Sequence, residues 1–150
     1  MHVAMVVVDR AGPLDRLEVE RLVAAYHASE GVTPRAPRIA WAVEQGLSGR
    51  FPGVLLVARD AGSTVGVALA VYQPSAELGR VLQVNDFYVE PAHRRKGVGR
   101  ALASRLLEEA AAMQIDLVTL EVLPGNEGAA ALWRSLGFSP TGREIYSCSP

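Results

Sequence analysis

The sequence predicts a single-domain α/β (α+β) protein: a mixed, mostly antiparallel sheet with two parallel strands at its centre and helices on both faces. Three observations carry this prediction. Two apolar, β-branched runs, Gly53 to Arg59 and Val65 to Tyr72, flank Asp60-Ala61-Gly62-Ser63 and read as an antiparallel hairpin. Elsewhere apolar residues recur at helical spacing, as in the stripe Val98, Leu102, Leu106, Ala110 and Met113. That helix joins a strand at 80–89 to another at 117–123, and a strand–helix–strand crossover leaves its two strands parallel.

In chain order, the Val, Ala and Met run at 3–9 reads as a buried strand closed by Gly12-Pro13. Leu14, Leu17, Val19, Leu22, Val23 and Tyr26 then follow helical spacing, with Asp15, Glu18 and Glu20 in the early turns, so a first helix runs to Ser29. Two prolines and a glycine between Glu30 and Arg38 interrupt it. Ile39, Trp41, Ala42, Val43 and Leu47 form a shorter second helix ending at Gly46 to Gly49. Within the hairpin, Gly66 marks a bulge or a close backbone contact. Residues 73–79 read as a loop before the strand at 80–89. After the strand at 117–123, Pro124-Gly125 is a stop, a helix starts at Asn126 and ends at Gly137, and Phe138 to Ser147 reads as a final bent strand or pair around Pro140 and Gly142.

A chain of 150 residues makes one domain, expected over 1–150, and buries roughly two-thirds of its unfolded surface. Hydrophobic residues at 49% against 21% charged place it among globular proteins, and no apolar run approaches the ~18 residues of a membrane span. The run at 3–8 is too short and lacks the basic flank of a signal peptide, so no membrane partner and a cytoplasmic location are expected. A net charge of −1 argues against a nucleic-acid reader, which presents a strongly basic face with interleaved aromatics. Cys148 is the single cysteine, which excludes an internal disulfide and a CxxC site; His2, His27 and His93 lack metal-ligand spacing, so no metal is expected.

The stretch Val81 to Gly99, VLQVNDFYVEPAHRRKGVG, organises the chain. A strand ends at Pro91, and a glycine-bearing loop then feeds a helix. Unpaired N–H groups and the positive end of the helix dipole meet there, and glycines admit an anion close to the backbone. Arg94, Arg95 and Lys96 add positive charge, which suits a phosphate or pyrophosphate, although a basic run alone is more often a solvated face. The loop is not a dinucleotide fingerprint, because Leu102 stands where a third glycine is needed, and no G-K-[ST] P-loop occurs. In its setting VNDFYVEPAHRRKGVGRAL, however, the loop resembles the central motif of the GNAT superfamily of acyl-CoA-dependent N-acyltransferases, [Q/R]-x-x-G-x-[G/A] after a strand, here Arg94-Arg95-Lys96-Gly97-Val98-Gly99. Asn126, Ala129, Leu132, Gly137 and Phe138 match a second pattern of the same superfamily, in the expected order. The resemblance covers about residues 54–146.

The resemblance implies a GNAT-like sheet split between its two central parallel strands, with acetyl-CoA as co-substrate. Its pyrophosphate is expected on the N–H groups of residues 95–100, that is Arg95, Lys96, Gly97, Val98, Gly99 and Arg100, with Arg94 beside them. The pantetheine arm is expected along Tyr88 and Val89, near a strand bulge whose N–H polarises the thioester carbonyl, with Asn126 as a further contact. Asn126 also reads simply as a helix cap. Asp86, a carboxylate inside an apolar strand, is the candidate catalytic base; its other reading is a structural acceptor. Asn85 takes its place if a bulge shifts the alternation, and Glu90 is a weaker third. Tyr26, His27 and Glu30 lie where such folds cover the acceptor. Trp133 departs from the pattern, which has a Tyr placed to protonate the departing thiolate; indole is too weak an acid, though its N–H can bind the cofactor by donating to the CoA sulfur, leaving water, Tyr146, Ser135 or direct thiolate release for the proton. Core packing is the other reading of Trp133.

The expected function is transfer of an acetyl group from acetyl-CoA to a primary amine of a small molecule or a peptide, by direct attack in a ternary complex. The alternative is a non-catalytic acyl-CoA-binding regulatory module. The expected partners are the amine acceptor and, by resemblance alone, a second copy in a homodimer; no interface stripe stands out in the sequence.

Overall fold

The computed structural model describes residues 5–150. Val3 and Ala4, the start of the expected first strand, and His2 lie outside the described residues. Five strands form one sheet in the order β1-β2-β3-β4-β5: β1 Val6–Arg10, β2 Gly53–Asp60, β3 Ser63–Ser75, β4 Gly79–Val89 and β5 Leu117–Leu120. Neighbours are antiparallel from β1 to β4, and β5 runs parallel to β4. The helices are α1 Arg16–Ser29, α2 Ala36–Ser48, α3 Val98–Ala112 and α4 Glu127–Ser135.

Period-two alternation sorts the sheet's side chains to two cores. Val54, Leu56 and Ala58 of β2, Ala68 and Ala70 of β3, and Leu82 and Val84 of β4 meet Val98, Leu102, Leu106 and Ala110 of α3. The opposite face, Leu55, Val57, Val67, Leu69 and Tyr88, meets Val19, Leu22 and Val23 of α1 and Ile39 and Val43 of α2. Each fully buried Leu or Val stabilises by roughly 1.5–3 kcal/mol. Helices therefore cover both faces, as expected.

Two bulges break the alternation. In β3 the register against β2 shifts beside Gly66, where a Cβ would lie 3.2 Å from both the Ala58 Cβ and the Tyr88 carbonyl oxygen. Val65 is the extra residue of this bulge, and Gly66 beside it makes the close approach, so both features that the sequence suggested at Gly66 are present. In β4 the register against β3 passes from Leu69↔Asp86 to Ala70↔Val84, leaving Asn85 as the extra residue. The bulge expected near Val89 is here instead, four residues earlier. Leu82 and Val84 face α3; without the extra residue Asp86 would follow them into that apolar core.

Three boundaries differ from expectation. The loop at 73–79 shrinks to a tight turn, because Gln73, Pro74 and Ser75 pair with Val81, Arg80 and Gly79. Beyond Val71 β3 has no β2 partner, so the missing N–H of Pro74 is tolerated on an open edge. The strand expected at 117–123 stops at Leu120, since pairing with β4 ends at Val84↔Leu120, one residue before the bulge. Phe138 to Ser147 form no strand: Pro140 and Gly142 at φ +78° interrupt the run, and Ile145 and Tyr146 stay 68% and 87% exposed, so no burial draws the segment onto β5. Among the described residues the parallel pair therefore closes one edge of the sheet rather than occupying its centre. Gly137 ends the last helix as expected, at φ +94° with its N–H donating to the Arg134 carbonyl.

Leu102 is fully buried between α3 and the sheet. Its replacement by Ala is expected to lower stability by about 2–5 kcal/mol in chemical denaturation.

Candidate active site

The bulge at Asn85 turns Asp86 toward α1 and α2 and leaves Asn85 exposed. Asp86 is 9% exposed, and its Oδ1 lies 2.8 Å from the His27 Nε2. His27 reaches it because Val19 and Val23 seat α1 on the sheet and His27 follows one turn later. Burial pushes the Asp86 carboxyl above the usual carboxylate range, and the His27 hydrogen bond opposes that rise. Tyr26 packs beside the pair, its ring 5.7 Å from that of His27 and 6.1 Å from that of Tyr88. Burial, followed by the negative charges of Glu30, Asp86 and Glu121, raises its phenol.

Asp86 and His27 form the floor of a cavity of about 520 Å³. Val23, Ile39, Val43 and Leu69 wall it, and Val32, Thr33, Arg35, Arg38 and Trp41 complete its lining from α2 and the segment before it. A carboxylate–imidazole pair in a largely apolar cavity can accept a proton from an amine held there.

After Pro91–His93, the backbone turns through Arg95 at φ +60° and Gly97 at φ +83° into α3. No side chain caps that helix start, and nothing lies within 4 Å of the position a Gly97 Cβ would take. The cradle is open, and a left-handed φ favours glycine there. Arg95, Lys96 and Arg100 are exposed around it, with Arg100 donating to the Ser135 Oγ at 3.0 Å. Arg94 is drawn back instead: its Nε donates to the Val89 carbonyl at 2.9 Å and its guanidinium sits 5.4 Å from the Tyr88 ring centre. His93 meets the buried Asp60 at 3.2 Å and so holds the preceding turn against β2. From Asp86 to Val89, Tyr88 included, one edge of β4 has no strand partner among the described residues. An extended, amide-bearing arm fits beside such an edge, and a pyrophosphate fits the open cradle at Gly97.

Other candidates are placed differently. Glu90 is ion-paired with Arg21 at 2.7 Å. The Asn126 Oδ1 caps α4 by accepting from the Ala129 N–H, while its Nδ2 donates to Glu30 at 3.3 Å, tying the end of α1 to the start of α4. Trp133 is buried edge-on between Phe87 and Phe138, with centroids 4.7 and 5.1 Å away. The Ser135 hydroxyl donates to the Leu132 carbonyl, and Tyr146 lies on the exposed tail beside Glu144. Among the described residues no group of three His, Cys, Asp or Glu side chains is arranged to hold a metal, and no helix is long and apolar enough to cross a membrane. Sequence reasoning named His27 without its bond to Asp86 and missed Arg35, Arg38 and Trp41; the one available signal was the helical spacing that puts Val23 and His27 on a single face of α1.

The model of the acetyltransferase (GNAT) family matches residues 18–138. The chain belongs to that family. Among curated relatives, the N-alpha-acetyltransferase RimI of Mycobacterium tuberculosis is 37% identical over 98 residues, covering 61% of this chain and 57% of the relative. The L-methionine sulfoximine/L-methionine sulfone acetyltransferase of Salmonella typhimurium is 34% identical over 104 residues, covering 69% and 59%. The matched regions thus span under three-fifths of either relative. The crystal structure of a predicted acetyltransferase with acetyl-CoA from Clostridium acetobutylicum superposes with a TM-score of 0.81 at 18% identity, covering 96% of both chains, and shows the GNAT fold.

The raised Asp86 pKa has a defined sign for stability. Between its unfolded value and the raised folded one the native state holds more protons, so stability falls as pH rises through that window and stays lower above it. Asp86→Asn removes this cost while keeping a partner for His27. Its melting temperature at neutral pH is expected to equal or exceed that of the wild type, with a flatter dependence on pH from about 4 upward, by thermal scans across pH.

Proposed function

We propose that the chain, as one domain, is an N-acetyltransferase that moves an acetyl group from acetyl-CoA to a primary amine by direct attack. The observation carrying this reading is the Asp86–His27 pair on the floor of an apolar cavity, one strand from a glycine-opened, uncapped helix start. The names of the relatives, an N-alpha-acetyltransferase and an acetyltransferase of L-methionine sulfoximine and L-methionine sulfone, support an amine acceptor.

In this reading Arg95, Lys96, Arg100 and the N–H groups from Arg95 to Arg100 hold the co-substrate's pyrophosphate, with Gly97 keeping the cradle open. The unpaired edge of β4 at Tyr88 and Val89 receives the pantetheine arm, and an N–H on that edge is the donor for a carbonyl oxygen. Acetyl-CoA supplies an acyl thioester, electrophilic at its carbonyl carbon. The chain's task is then to free the amine's lone pair: the Asp86–His27 pair accepts the proton and, as one coupled site, holds it away from the nitrogen. Among the described residues no serine or cysteine lines the cavity, which favours direct transfer over an acyl-enzyme. Trp133, packed as a core aromatic, leaves the departing thiolate to water or to release as the anion.

That packing also favours a second reading, a CoA-binding module without turnover. Calorimetric titration with acetyl-CoA and CoA, followed by thiol release with pooled amines, separates the two. Binding with amine-dependent release is the expected result, and binding without release would establish the module. No binding would overturn both.

Asp86→Asn is expected to lower kcat/KM by about 10²–10⁴ with CoA affinity unchanged, and to remove the acid-side fall in rate that the Asp86 ionisation imposes. Unchanged turnover would make Asp86 structural. Gly97→Glu is expected to weaken CoA binding at least tenfold, because it combines a strained φ with a carboxylate in the cradle; calorimetry reads this directly.

A further inference from the structure

Arg35 is the extended residue that precedes α2, and Arg38 lies in the first turn of that helix. Both line the cavity that has Asp86 and His27 at its floor. Neither guanidinium has an ion pair or hydrogen bond within the chain among the described residues, whereas Arg16, Arg21, Arg59 and Arg105 each hold a carboxylate. Asp86, the one carboxylate in the cavity wall, is already bonded to His27, and nearby Glu30 is bonded to Asn126. Against that one carboxylate, which faces the amine, the cavity offers an anion two unpaired cations. Between floor and rim its wall is apolar, and about 520 Å³ is the size of a small-molecule site.

Resting on the acetyltransferase reading of this cavity, we propose that Arg35 and Arg38 form an anion subsite that selects the acceptor: a small amine with an apolar body and a carboxylate. A guanidinium is suited to this, since it presents paired N–H donors to both carboxylate oxygens. The amine nitrogen then lies toward Asp86 and His27, the apolar body against Val23, Ile39 and Leu69, and the carboxylate at the rim. Polycationic amines meet like charge at the entrance and are poor acceptors.

The deciding probe carries no amine, so that it reads the subsite apart from catalysis. Binding of 4-methylpentanoate and of 4-methylpentanamide to the CoA-loaded protein is followed by tryptophan fluorescence, Trp41 being part of the cavity wall. The acid is expected to bind about tenfold more tightly than the amide, the scale of one charge-assisted contact at a partly solvated site. In the Arg35→Gln/Arg38→Gln double variant the two should bind equally. Equal binding to the wild type, no binding of either probe, or a preference that survives in the double variant would overturn the subsite. Turnover of L-leucine, L-leucinamide and spermidine runs in parallel. Acetylation of amines with no acid preference in the probe pair would sink the subsite and leave the acetyltransferase reading standing. An acid preference that vanishes in the double variant, with no amine acetylated, would keep the subsite and sink that reading.

Discussion

The extra residue at Asn85 is the constraint on which the rest of the arrangement depends. A strand that alternates strictly would send Asp86 after Leu82 and Val84 into the core under α3, where an unpaired carboxylate is costly to bury. One bulge reverses the remaining alternation, so Asp86 and Tyr88 face α1 and α2 while Phe87 and Val89 refill the α3 core. The same bulge coincides with the end of the β4–β5 ladder at Val84↔Leu120. A single backbone irregularity thus places the carboxylate at the cavity under α1 and α2 and leaves the neighbouring edge of β4 open.

That placement sets function against stability. Asp86 is held in a site that disfavours its charge, and the His27 bond offsets only part of the burial. A fold selected for stability alone would place Asn or Leu there. Neighbouring carboxylates have partners: Glu90 is paired with Arg21, Glu30 with Asn126, and Asp60 with His93 through Oδ2, its buried Oδ1 being left without one. The carboxylate that faces the cavity is the one whose basicity burial raises, which is the combination that proton transfer from an amine requires.

Much of this was legible in the sequence, for identifiable reasons. The hairpin at 53–72, the α3 stripe and the glycine stops are local signals, and they appear where expected; of the α1 stripe Val19, Leu22 and Val23 are buried, whereas Leu14, in the turn before the helix, and Leu17 stay exposed. The conflict between Asp86 and its apolar neighbours was also visible, because a charge inside a strand is a local inconsistency. Where the bulge falls was not. Register is decided by which face of β3 each residue of β4 can join, and Asn85 carries no local mark of being the one left out. The strand boundaries failed for a related reason: β5 stops where its partner changes, not where its own propensity does, and the residues after Phe138 carry strand-forming side chains but find nothing to bury them against. Arg35 and Arg38 were invisible because two arginines beside prolines have no periodicity; only the cavity they share with Asp86 gives them meaning.

The geometry also bears on how two substrates can meet without an enzyme nucleophile. The cradle at Gly97 opens the helix that packs on one face of the sheet, and the cavity of Asp86 and His27 lies on the other. A ligand held at both places must pass the edge of β4, and between Asp86 and Val89 that edge has no neighbouring strand. In the proposed reading, the unpaired edge is where the two sites meet. Had β5 continued to pair through residue 123, as its sequence suggested, the strand would have sealed the passage. Its shortness belongs with the bulge as part of the site, and the bond between Glu30 and Asn126 ties the end of α1 to the start of α4, the helices that flank this opening. Direct transfer between two bound substrates, as proposed above, would need no side chain to carry the acyl group, only a strand that is paired on one side and bare on the other.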